Sequence, residues 1–104
     1  MKKKKKKITI LITGCVGFIG FHVSHFLTAK GYNVIGIDNV NTYYDIKLKK
    51  DRLSILKKKK NFNFFKIDIS NNLKLKKIFE KKNFKIVIHL AAQAGVRFSI
   101  YNFP

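Results

Sequence analysis

An apolar run, Ile8-Thr9-Ile10-Leu11-Ile12, breaks at Thr13-Gly14-Cys15-Val16-Gly17-Phe18-Ile19-Gly20 into a helix-like run that reaches Lys30. No other stretch restricts the fold as much. A strand that turns through glycines into a helix points backbone N–H groups outward at the positive end of the helix dipole. The result is an anion site suited to a pyrophosphate. Gly14 permits the tight turn, Gly17 lets a ligand approach the backbone, and Gly20 lets the helix pack close on the strand. The spacing G-x-x-G-x-x-G differs from the G-x-G-x-x-G fingerprint, and three glycines alone also fit a turn that binds nothing. Context decides between them: a strand before, a helix after and an acid about 20 residues on. Asp38 is that acid, closing the apolar run Val34-Ile35-Gly36-Ile37.

The alternation continues along the chain. Residues 8–13 read as a first strand, too uniformly apolar to be half exposed, which suits the middle of a parallel sheet. Residues 18–30 place Ile19, Val23, Phe26 and Leu27 on one helical face, and Gly31 follows as a stop. Residues 33–38 form a second strand. Residues 46–56 form a short amphipathic helix through Ile46, Leu48, Leu53, Ile55 and Leu56. A third strand spans 63–69. A third helix spans 73–82, packing through Leu73, Leu75, Ile78 and Phe79, and a fourth strand spans 84–90. This order predicts an α/β fold, a Rossmann-type parallel sheet with flanking helices. Right-handed crossovers then place ligands beyond the carboxyl ends of the strands. The sheet is expected to be truncated after the fourth strand, leaving that strand an open edge. Residues 1–7 read as a basic extension and 8–104 as a partial domain.

A chain of 104 residues makes one small domain, and its 46% hydrophobic content argues against disorder throughout. No apolar run approaches the roughly 20 residues that span a bilayer, and the basic start leads into a structured motif instead of a cleavage site. A cytoplasmic location is the expectation. The net charge of +18 raises nucleic-acid binding as a rival function. Lysines interleaved with Asn, Ile and Phe are equally a mark of AT-rich coding. Arginine, the usual base reader, occurs only at Arg52 and Arg97. Cys15 is the single cysteine, so no internal disulfide can form; it is a small filler in the turn or a thiol activated by the helix end.

Each strand's carboxyl end carries a small polar group. Asp38-Asn39 ends the second strand, where a carboxylate can accept both hydroxyls of an adenosine ribose and repel a 2′-phosphate. No arginine adjoins it in the sequence, so NAD is expected over NADP. Asp68-Ile69 ends the third strand, placed for an adenine edge, though a lone strand-end acid is more often solvated. His89-Leu90-Ala91-Ala92-Gln93-Ala94-Gly95 ends the fourth, where small residues allow close approach to a ligand and His89 also fits a satisfied core histidine. No metal-ligating constellation is present.

These motifs together resemble the extended short-chain dehydrogenase/reductases, in particular the NAD-dependent nucleotide-sugar epimerase/dehydratase family. The matching residues are Thr13 to Gly20, Asp38-Asn39, Asp68-Ile69 and His89-Leu90-Ala91-Ala92. Asp38-Asn39-Val40-Asn41-Thr42-Tyr43-Tyr44-Asp45 followed by Leu48-Lys49-Lys50, and Ala91-Ala92-Gln93-Ala94-Gly95-Val96-Arg97-Phe98-Ser99, are similar to the UDP-glucuronate 4-epimerase branch. The resemblance implies NAD held by Gly14, Gly17, Phe18, Ile19, Gly20, Asp38, Asn39, Asp68, Ile69, Leu90, Ala91, Ala92 and Gln93. It implies Arg97 beside a UDP-sugar, and homodimers of complete family members. Val16 departs from the family pattern, whose residue there is smaller, and sets the loop further from the pyrophosphate. The family's base is a Tyr-x-x-x-Lys tyrosine beyond the fourth strand. The one match here, Tyr43-x-x-x-Lys47, follows the second strand and is read as a decoy. The chain is thus expected to be the opening of an enzyme, silent alone, with a freestanding NAD-binding module as the alternative.

Overall fold

A computed structural model describes residues 8–40, 46–81, 84–90 and 99–102. The elements run β1 (Thr9–Thr13), α1 (Phe18–Ala29), β2 (Asn33–Asp38), α2 (Ile46–Lys57), β3 (Phe62–Lys66), α3 (Asn72–Lys81), β4 (Ile86–His89) and β5 (Ser99–Asn102). They build one sheet in the order β3-β2-β1-β4-β5. The first four strands are parallel, with Leu11 opposite Ile35 on one side and Val87 on the other. Ile35 in turn faces Asn63 of β3. The switch in direction between β2 and β4, on either side of β1, is the geometry that opens a crevice at the strands' carboxyl ends.

β1 is central, and its residues show why. Ile10, Leu11 and Ile12 are all 3% exposed or less, because both faces of the strand are covered. On one face Ile10, Ile12 and Val34 join Leu56 of α2, with Val23 and Leu27 of α1 packed alongside. On the other, Leu11, Ile35, Ile37 and Val87 meet Ile78 of α3 together with Ile67 and Phe84.

Three expectations change. Helix α1 rests on the sheet through Gly20, Ser24 and Thr28, while Ile19 and Phe26 stay exposed and Val23 and Leu27 sit at the flanks. Small residues one turn apart let the helix axis approach the strands, so the large residues turn outward. In the same way only Ile78 of α3 is buried, with Leu75 half-buried and Leu73 and Phe79 exposed; on α2, Leu56 is buried while Ile46, Leu48 and Ile55 are exposed. Finally, the free edge of β4 is not open. β5 pairs antiparallel along it, Ile88 opposite Ile100, which satisfies backbone groups that the expected truncation left unpaired. β3 also ends earlier than expected, at Lys66, leaving Asp68 and Ile69 in the turn beyond it.

Helix α1 stops as predicted. Gly31 takes φ 95, Tyr32 N donates to Leu27 O at 3.1 Å and Gly31 N to Thr28 O at 3.0 Å. This closes the last turn as a Schellman motif.

Candidate functional site

The glycine turn lies at the carboxyl end of β1, anchored to β2. Gly14 adopts φ 73, and the N–H groups of Gly14 and Cys15 both donate to Ile37 O, at 2.7 and 3.3 Å. A Cβ on Gly20 would lie 1.9 Å from Gly14 O, so only glycine fits where helix meets turn. Gly17 differs. A Cβ there would meet only Gly14 O, at an ordinary 3.5 Å. Nothing among the described residues requires glycine at 17, and the open side faces outward. Gly17 also caps α1 without a side-chain hydrogen bond. The first-turn N–H groups of a helix have no intrahelical acceptor; at α1 these belong to Phe18, Ile19 and Gly20, while Gly17 N donates to Gly14 O at 3.1 Å. A pyrophosphate fits this cradle.

Asp38 closes the site from β2, and it is buried, not presented to solvent. Its Oδ2 accepts from Val16 N at 3.1 Å and its Oδ1 from Val40 N at 2.8 Å. The second bond holds Val40 at φ 55, a left-handed conformation costly for a β-branched residue. Lys49 Nζ stands 3.9 Å from Oδ1, an ion pair in which both side chains are largely shielded from solvent. From one turn further along α2, Arg52 donates to Val16 O at 3.2 Å, with its guanidinium 5.8 Å from the Phe18 ring centre. The carboxylate and the arginine thus grip the two ends of one residue in the glycine turn, and fully buried Val16 is fixed there. From sequence alone Lys49 figured only within the branch motif, and neither it nor Arg52 had a place in the site. Their signal was a three-residue spacing on the helix after β2, which puts both on one helical face.

The remaining expected residues scatter. Asp68 is exposed, its Oδ1 accepting from Ser70 N at 3.0 Å and Ser70 Oγ at 2.9 Å. Those two bonds, with the Asn39 side chain, hold its carboxyl below the usual carboxylate range. Ile67 N donates to Asp38 O, so the Asp38-Asn39 and Asp68-Ile69 segments do lie side by side. Ile69 turns to the α3 face. There it lines an apolar hollow of about 450 Å³ with Leu11, Thr13, Leu75, Val87 and His89. Leu90 packs on the α1 side of the sheet. His89 Nδ1 lies 2.7 Å from Thr13 Oγ1, which also accepts from Leu90 N at 3.0 Å. The hydroxyl can donate to or accept from the ring nitrogen while accepting from Leu90 N, so His89 is a satisfied structural histidine with either tautomer. Ala91, Ala92, Gln93, Arg97 and Tyr43 lie outside the described residues. Lys47 pairs with Asp51 at 3.2 Å on the exposed side of α2.

Cys15 is fully buried against Gly36 and Phe62, and burial, then the nearby Asp38 charge, push its thiol far above its ordinary value. It is a filler, not an activated nucleophile. No cluster of three or more metal-ligating side chains occurs among the described residues. No described helix is long and apolar enough to cross a membrane.

A parallel sheet with its direction switch at β1, a glycine turn into α1 and a carboxylate at the end of β2 define a domain of the Rossmann class. Residues 11–102 match the GDP-mannose 4,6 dehydratase family, and the chain belongs to that family. It is 53% identical over 92 residues to the UDP-glucuronate 4-epimerase of Thermodesulfobacterium geofontis, covering 88% of this chain and 28% of that protein. It is 48% identical over 93 residues to Protein CapI of Staphylococcus aureus, covering 89% and 28%. The fold matches the crystal structure of UDP-glucuronic acid 4-epimerase from Bacillus cereus in complex with NAD. That match has a TM-score of 0.73 at 35% identity, over 85% of this chain and 28% of that one. The chain therefore spans somewhat over a quarter of the length of these relatives.

Proposed function

We propose that residues 8–104 are the NAD-binding part of a nucleotide-sugar epimerase acting on UDP-glucuronate, with residues 1–7 a basic extension. The observation that supports this best is the junction of the Gly14–Gly20 turn with Asp38, in a chain 53% identical to a UDP-glucuronate 4-epimerase. In this reading the N–H groups of Phe18, Ile19 and Gly20 bind the pyrophosphate, with Gly14 shaping the turn and Gly17 leaving room for its approach. Asp38, its oxygens each with lone-pair capacity beyond the Val16 and Val40 bonds, receives the ribose hydroxyls once Lys49 moves aside. Asn39, Asp68 and Ile69 flank the adenine, and Leu90, Ala91, Ala92 and Gln93 let the nicotinamide half approach. Arg97 holds the diphosphate or uronate carboxylate of the sugar nucleotide by charge-assisted bonds. Bound NAD supplies a reversible hydride acceptor for C4 of the sugar. A cytoplasmic, homodimeric complete enzyme completes the reading.

The test has two parts. Calorimetry on the unmodified chain should show NAD bound more tightly than NADP, and equal affinities would overturn the Asp38 assignment. Residues 8–102, grafted in place of the matching segment of the Thermodesulfobacterium geofontis relative, should retain conversion of UDP-glucuronate to UDP-galacturonate. A folded but inactive graft would refute the substrate assignment.

A further inference from the structure

We infer that Lys49 and Arg52 form a latent phosphate subsite beside the adenosine ribose, held in check by Asp38, so that the Asp38 charge alone selects the unphosphorylated cofactor. The inference rests on the reading of this rim as a dinucleotide site. Three charges surround the peptide groups of Val16. Asp38 accepts its N–H at 3.1 Å, Arg52 donates to its C=O at 3.2 Å, and Lys49 stands 3.9 Å from the far carboxylate oxygen. Among the described residues these three charges sum to one positive, on a side of the site where the sequence shows no basic neighbour of Asp38. A ribose whose hydroxyls meet the carboxylate would carry any 2′-phosphate within reach of the Lys49 ammonium. Arg52 offers the planar, multiply donating group that phosphate favours: a guanidinium carries five N–H donors, and Val16 O engages one. With Asp38 ionised, its oxygens are the groups that meet the ribose hydroxyls, so its short-range repulsion of a phosphate dianion outweighs the more distant cations and the 2′-hydroxyl is preferred. With Asp38 made neutral, that repulsion is gone and the attraction of Lys49 and Arg52 for a 2′-phosphate remains.

The experiment measures the ratio of NADP to NAD dissociation constants by calorimetry on the full chain. A ratio within each variant cancels any loss of folded fraction common to both cofactors. Asp38→Ser should lower the ratio about tenfold or more, the scale of one charge-assisted hydrogen bond. Adding Lys49→Gln and Arg52→Gln to that variant should abolish the gain. In the chain with Asp38 intact, the same two substitutions should weaken NADP severalfold more than NAD, which tests the subsite without touching the buried carboxylate. Lys74→Gln with Lys77→Gln, on exposed positions of α3, should leave every ratio unchanged. An unaltered ratio in Asp38→Ser overturns the inference. So does a gain that survives loss of both cations, or one that the α3 substitutions reduce equally, which would mark diffuse attraction to a basic chain. Failure of the unmodified chain to bind NAD would instead overturn the dinucleotide reading, and the subsite with it.

Discussion

The carboxylate of Asp38 accepts the N–H of Val16 at 3.1 Å, joining the end of β2 to the glycine turn across 22 positions of sequence. This bond ties the part of the site that meets ribose to the part that meets pyrophosphate, so one substitution should disturb both. Asp38→Ala removes a charged acceptor from two backbone N–H groups and leaves them buried. We expect it to weaken NAD binding by about 1.5–3 kcal/mol and to lower the thermal midpoint as well. Calorimetry and thermal unfolding on the same sample check the pair; a fall in affinity with unchanged stability would separate the two roles.

Gly20 and Gly14 come too close for any side chain between them. Gly20→Ala should cost about 3 kcal/mol, because the obstructing atom is a backbone oxygen that cannot rotate away. Gly17→Ala has room within the protein and should leave the thermal midpoint nearly unchanged while weakening NAD. Equal destabilisation by the two would show that Gly17 too is a packing residue.

At Gly36 the obstacle is a side chain. An added Cβ would stand 2.6 Å from Cys15 Sγ and 2.7 Å from Phe62 Cζ. Gly36→Ala should therefore destabilise by about 1–3 kcal/mol. Cys15→Gly should rescue part of it, with Phe62 keeping the rest. A double-mutant cycle should return a coupling of about 0.5–3 kcal/mol, and additive costs would contradict the contact.

Burial raises the Cys15 thiol above its ordinary value of 9.0. The folded protein thus keeps the proton that the unfolded chain releases first. The stability linked to this group is intact below pH 9.0 and declines as pH rises beyond it. Urea unfolding from pH 8 upward should show a steeper alkaline loss in the native chain than in Cys15→Ala. Native Cys15 should also resist alkylation at neutral pH, and prompt labelling in the folded state would disprove its burial.

Ser24 Oγ is buried under α1 without a hydrogen-bond partner among the described residues. Ser24→Ala removes an unsatisfied group and improves helix propensity, so stability should rise by about 1 kcal/mol, or roughly 4–8 °C in thermal midpoint. A drop in midpoint by circular dichroism would mean that the hydroxyl has a partner.

Local chemistry determined the order of elements from sequence alone. Uniformly apolar runs, period-3.6 patterning, glycine stops and the turn after Thr13 are interactions within a few residues, so β1, α1 and β2 with Gly14, Gly20 and Gly31 were legible. Which side of a helix faces the sheet was not. Ile19 and Phe26 satisfied the hydrophobic pattern of α1, yet Gly20, Ser24 and Thr28 took the contact, because distance between backbones, not side-chain polarity, decided the packing. The pairing of β5 on β4, the burial of Asp38 and the arrival of Lys49 and Arg52 at Val16 depend on segments brought together only by the sheet. Asp38 was readable as an acid at a strand end. That it is an ion-paired clamp on the glycine turn is a tertiary fact, set by the crossover from β2 to β3 that packs α2 against α1 and brings Lys49 and Arg52 to Asp38 and Val16.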